Sequence, residues 1–242
     1  MKQAIVIALF GLFMSCQTVK VKNNTYRTTE STVELGAIGE SNSFLKLSND
    51  FEILSYPKLS DKIKVHVEVL PFTKKVSKLY KNKAKYNQKQ TKIAYSDSLP
   101  VKPEVVRIEI VDVVSLIKEI NAEQNKNSVA FIDKSKRTSI INDVLITLPS
   151  SDIEKIRQAD AYYLVQNGTS KYGIALYKEG KKITTLDVQT SSILGYQVAK
   201  FCWTEDSRGK WKIGDIIKEG SSCKGDTYRK IKPKKEKSLY KM

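Results

Sequence analysis

The chain has 242 residues, with 42 Lys and Arg against 26 Asp and Glu, a formal charge of +16, three cysteines and one histidine. That length supplies ample material for a buried core, and a single histidine rules out multi-histidine metal clusters. The positive balance implies soft attraction to anionic surfaces and says nothing about fold.

Lys2 gives a positive start, Ala4 to Met14 form an apolar run of about eleven residues, and Ser15 places a small side chain ahead of Cys16. This is the layout of a secretory signal peptide. The run is much shorter than the roughly 20 residues a membrane-spanning helix needs. Its end at Cys16 resembles the lipobox of bacterial lipoproteins, in the looser form found in Bacteroidota, with Phe13 where the familiar pattern prefers Leu. The resemblance covers residues 1–16. It implies cleavage before Cys16 and a covalent lipid on that residue, the one non-protein group expected, since nothing in the sequence calls for a cofactor. Several acyl chains, at about 0.8 kcal/mol per buried methylene, give a stable anchor. The implied location is the outer membrane. Gln17-Thr18-Val19-Lys20-Val21-Lys22 lacks the acidic cluster that resembles a surface-export signal, which favours the periplasmic face over the cell surface.

Residues 16–31 read as a lipidated N-terminus and polar tether, with Asn23-Asn24 as a break. Residues 32–99 form a β-rich basic region. Phe44 to Leu47 and Phe51 to Leu54 carry short apolar pairs, and Ile63 to Val69 alternates strictly, so Ile63, Val65, Val67 and Val69 share one strand face. His66 lies on the other face and is expected in solvent, without a metal or catalytic role. Pro71 closes this strand. Phe72 to Ile93 then carries eight lysines and no acidic residue. Lys74, Lys75, Lys78, Lys81 and Lys85, with Tyr80 and Tyr86 interleaved, are candidate contacts for an anionic surface. Nucleic acid is not an expected partner for an exported chain.

Pro100 and Pro103 mark a joint, after which residues 100–227 form an α+β or β-rich domain. Val105 to Val111 reads as a strand with 106, 108 and 110 on one side. Val113, Leu116, Ile117 and Ile120 recur at helical spacing, and Asn121 to Asn127 is a polar break. Ile140-Ile141 and Val144 to Ile146 are strand material. Ser150 or Ser151 is expected to cap a short helix over 152–160. Ala161 to Gln166 and Tyr172 to Tyr177 flank the hairpin signal Asn167-Gly168, another reversal follows at Glu179-Gly180, and Gly195 to Trp203 and Trp211 to Ile217 add further strands. The fold class expected is mainly β or α+β, an antiparallel sheet-rich body with one or two short helices.

With Cys16 committed to lipid, Cys202 and Cys223 remain as an intramolecular pair for an oxidising compartment. The tail at 228–242 is basic, and Lys234, Lys235 and Lys237 are its candidate anionic-surface contacts. No nucleophile–histidine pattern, phosphate loop or dinucleotide fingerprint occurs. Glu109, Asp112, Asp187, Glu205, Asp206 and Asp215 are carboxylates whose spacing fixes no pair. The expectation is a noncatalytic accessory lipoprotein subunit of an outer-membrane protein complex for secretion, transport or barrel assembly. The alternative is a periplasmic binding module for an anionic cell-envelope polymer or lipid.

Overall fold

The computed structural model describes residues 18–28, 33–41, 51–84, 93–134, 137–168, 171–188 and 192–231. The signal peptide, Cys16, Phe44 to Leu47, Lys85 and the tail lysines Lys234, Lys235 and Lys237 lie outside the described residues. In chain order the elements are β1 (Thr18–Val21), β2 (Asn24–Arg27), β3 (Ile38–Ser41), β4 (Phe51–Ser55), β5 (Ile63–Pro71), α1 (Lys74–Ala84), β6 (Glu104–Ile110) and α2 (Val113–Ile120). A 3-10 turn at Glu123–Asn125 leads into α3 (Lys126–Lys134), β7 (Thr138–Thr147), α4 (Ser150–Gln158), β8 (Ala161–Asn167), β9 (Lys171–Lys178), β10 (Lys181–Leu186), β11 (Ser192–Glu205) and β12 (Trp211–Lys218).

The strands form one twelve-stranded antiparallel sheet with the main path β1-β2-β11-β7-β6-β5-β8-β9-β10. The sheet-rich antiparallel body is therefore as the sequence pattern implies, with four short α-helices around it among the described residues. β7 is its spine, and all ten of its residues are buried. One edge of β7 pairs with β11 along 139–147, while the other takes β3 at Thr138–Ile140 and β6 at Asp143–Ile146. β5 pairs with β6 across the proline joint, so residues 32–99 and 100–227 contribute to the same sheet.

Two apolar layers follow from the period-two alternation of the strands. Val65, Val106, Ile108, Ile110, Ile140, Val144 and Ile146 point to the larger layer, closed by Leu116 and Ile120 of α2, Ile132 of α3 and Ile153 and Ile156 of α4. On the other face Leu70, Val105, Leu145 and Leu194 meet Val76 and Leu79 of α1, with Phe72, Val21 and Tyr26. α1 therefore lies on the opposite side of the sheet from α2 and α3.

Three local outcomes differ from the sequence pattern. The stretch expected to be a tether holds a hairpin over 18–27, closed by a two-residue turn with Lys22 at φ 51°. Val19 and Val21 turn inward, and burial of that alternating pair outweighs the polar residues between them. α4 begins at Ser150 with Pro149 in the cap position and no side-chain cap, so Ser150 and Ser151 are the first helical residues and not the cap. The polar break after α2 is only a short 3-10 turn before α3, held by buried Asn125, whose side-chain amide bridges the backbone of Lys58 and the Glu119 carbonyl.

Two of the sheet edges carry features that limit further pairing. Asn121 receives a hydrogen bond from the Ile213 N–H and donates one to its carbonyl, occupying the outer side of β12. β10 carries Lys181, Lys182 and a bulge at Ile183, features that discourage edge pairing. The Cys202–Cys223 disulfide, with its partners 21 residues apart, ties the segment after β12 back to β11. Tyr228 then bridges Trp203 and exchanges backbone hydrogen bonds with it. The basic tail thus starts as part of the fold, with Arg229 donating to the Phe201 carbonyl.

Candidate functional site

α1 is amphipathic because Phe72, Val76 and Leu79 recur at helical spacing, and all three are fully buried. The Thr73 hydroxyl accepts from the Val76 N–H at its start. The opposite face carries Lys74, Lys75, Lys78 and Lys81, all exposed. Lys74, Lys78 and Lys81 are spaced four and three residues apart and line one open cleft of about 650 Å³ together with Ser77, Tyr95, Ser96 and Asp97. The far wall of the cleft is fixed by aromatics. The Phe72 ring packs 5.9 Å from Tyr80 and 5.4 Å from Tyr95, and the Tyr80 hydroxyl accepts from the Ile93 N–H.

The electrostatics of this cleft are unbalanced. Among the described residues none of its three lysines has an ion-pair partner, and Asp97 is the only carboxylate lining it. Asp97 accepts from the Tyr95 hydroxyl, which raises the Tyr95 pKa above its ordinary value. The first turn of α1 has no acidic residue and begins Lys74-Lys75, so two cations sit at the positive end of the helix dipole. Like charges in that position repel one another and the dipole, and an external anion relieves both.

A second cleft, about 400 Å³, lies where the β1–β2 hairpin meets β11 and β12 and is lined by amides and hydroxyls including Asn23, Asn24, Thr25, Asn142 and Gln197. Its cations are already compensated: Arg27 pairs with Glu219 at 2.6 Å and Lys218 with Glu109 at 2.7 Å. Asn142 is the extra residue of a β-bulge, since Gln197 faces Asp143 and Val198 faces Ile141. Its buried Oδ1 has no hydrogen-bond partner among the described residues.

Between the clefts the hairpin covers a buried ionic network. Arg107 donates through Nε and a terminal nitrogen to Asp143 at 2.9 and 2.7 Å, and reaches Glu109 at 2.6 Å. The Tyr26 hydroxyl donates to the other Asp143 oxygen at 3.1 Å. Asp143 and Tyr26 are fully buried. Burial pushes the Asp143 carboxyl up to about 6, against the opposing pull of Arg107. Burial, reinforced by Asp143, drives the Tyr26 hydroxyl well above its ordinary value. The hairpin approaches this closely because Gly195 lies beneath it, where a Cβ would sit 2.8 Å from the Tyr26 Cβ.

Lys74, Lys78 and Lys81 are brought together by the structure, while exposed Lys75 stands beside their cleft. His66 is exposed on β5. Among the six carboxylates named from the sequence, Glu109 joins the ionic network, Asp112 caps α2 by accepting from the Ser115 N–H, Asp206 accepts from the Arg208 and Lys210 amides, and Asp215 accepts from the Ile216 amide. Among the described residues no cluster of three or more His, Cys, Asp or Glu has a metal-holding arrangement, and no helix is long and apolar enough to cross a membrane. Tyr26, Asp143 and Asn142 had no sequence signal of their own. No family profile, curated protein or solved structure matches the chain.

Proposed function

We propose that this chain is a noncatalytic lipoprotein, anchored through Cys16 to the periplasmic face of the outer membrane, and that it serves as an accessory subunit of a membrane-protein complex. The observation that supports this reading best is how soon the fold begins: β1 starts at Thr18, two residues beyond Cys16. At about 3.5 Å per extended residue, that connection reaches no more than about 7 Å. A body on so short a leash is confined beside the bilayer, where its effective concentration for a membrane partner is high. Val111, Val114 and Phe131 are exposed on the α2–α3 side and offer apolar contact area to such a partner.

The alternative, a binding module for an anionic envelope polymer or lipid, draws on one observation, the three lysines of the α1 cleft, which have no ion-pair partner among the described residues. Gentle extraction of the native chain with crosslinking separates the two. Stoichiometric recovery of one membrane protein crosslinked near Val114 or Phe131 is expected for an accessory subunit. A chain that travels alone and binds envelope glycan or lipid in a salt-sensitive way replaces that reading with the alternative.

A further inference from the structure

The position of α1 relative to the chain start carries a more specific conclusion. Val19 and Val21 of β1 pack into the same apolar cluster as Val76 and Leu79 of α1. The helix is therefore a direct neighbour of the strand that leaves Cys16. α1 is eleven residues long, about 16 Å at 1.5 Å per residue. Its lysine face thus flanks the first strand after the anchor. Electrostatic attraction between exposed charges and a headgroup layer acts over about 8 Å at physiological salt, and the short connection to Cys16 keeps the body close enough to the bilayer for α1 to turn its lysines into that range.

We infer that Lys74, Lys78 and Lys81 rest on phosphate-bearing anionic lipid headgroups of the same bilayer that holds Cys16, fixing the body with α1 toward the membrane and α2–α3 away from it. This rests on the Cys16 anchor proposed above. Charge complementarity supports the occupant: the cleft has three cations with no ion-pair partner among the described residues against one carboxylate, is open, and is walled by a pinned tyrosine. The amide-lined cleft near Asn142 lacks this property because its cations are paired within the protein. The orientation also places Val114 and Phe131 where a partner reaches them from the periplasm.

The test uses the full chain extracted with its lipid and placed on vesicles of phosphatidylcholine alone or mixed with phosphatidylglycerol, followed by amine-reactive labelling read by mass spectrometry. Lys74, Lys78 and Lys81 are expected to label several-fold more slowly on the mixed vesicles, and raised salt should abolish the difference. Lys118 and Lys126, on the opposite side of the sheet, should label equally on both. Replacing the three α1 lysines with Gln should weaken attachment to anionic vesicles by on the order of 100-fold in a chain also carrying Cys16→Ser, taking about fivefold per lysine. Circular dichroism of that variant checks that α1 is intact. Equal labelling of the α1 lysines on both vesicles overturns the inference, as does protection by a soluble polyanion without protection by vesicles. Intact mass of the same sample reports the anchor separately. If no lipid is found, the anchor reading fails, and protection by added mixed vesicles then upholds the headgroup contact while its absence overturns that too.

Discussion

Replacing Arg107 with Met removes the only cation bonded to Asp143 among the described residues, and Asp143 is a fully buried carboxylate, while Glu109 keeps Lys218 at 2.7 Å. Breaking a buried pair from one side costs about 3–5 kcal/mol, because the remaining charge has lost its compensation. For a domain of this size that corresponds to a fall in Tm of roughly 6–20 °C. The deficit depends on pH. Asp143 already has its folded-state pKa raised to about 6, above the ordinary carboxylate value, so its protonation favours the folded state. That contribution is complete below the unfolded value and is lost as pH rises through the folded one. Without Arg107 the folded value climbs further, so the variant should be most impaired near about pH 8 and recover part of its loss near about pH 5. Adding Asp143→Asn removes the buried charge, keeps an acceptor for Tyr26, and should restore at least half of the stability lost near about pH 8. Urea unfolding followed by fluorescence of Trp203 and Trp211 measures all of this. A loss under about 1 kcal/mol, an equal loss at both pH values, or no rescue by Asp143→Asn would refute the reasoning.

Other perturbations test separate parts of the account. Cys202→Ser with Cys223→Ser should lower unfolding free energy by about 3 kcal/mol, read by the same urea titration, because the bridge closes a loop of 21 residues. Gly195→Val should push Tyr26 off the sheet and cost about 1–3 kcal/mol, with faster amide exchange confined first to residues 18–27. Asp112→Ala should cost about 1 kcal/mol through the lost α2 cap, measured as a shift in the urea midpoint at unchanged slope.

Period-two alternation made β5, β6 and the β8–β9 hairpin legible in the sequence, and 3.6-residue spacing made α2 legible, because each of these elements buries one uniform face. The β1–β2 hairpin was harder to read. Its inward face is only Val19, Val21 and Tyr26, and its stability comes from Asp143 and Gly195, residues more than a hundred positions away. α1 was obscured by its own lysines, although Phe72, Val76 and Leu79 already mark its buried side. For the candidate site, the sequence picked out Lys74, Lys78 and Lys81 as cations. It had no means of showing that they share a cleft with Tyr95 and Asp97, because folding of the 93–97 segment against α1 creates that proximity. The Arg107–Asp143 pair was equally invisible, since it depends on the register of β6 against β7.

Intact mass of the chain taken from native membranes decides whether Cys16 is an anchor. The expected species is a polypeptide beginning at Cys16 and carrying acyl mass, together with a Cys16→Ser variant that no longer partitions as a lipidated protein. A soluble chain without acyl mass, or one that retains residues 1–15, would contradict it.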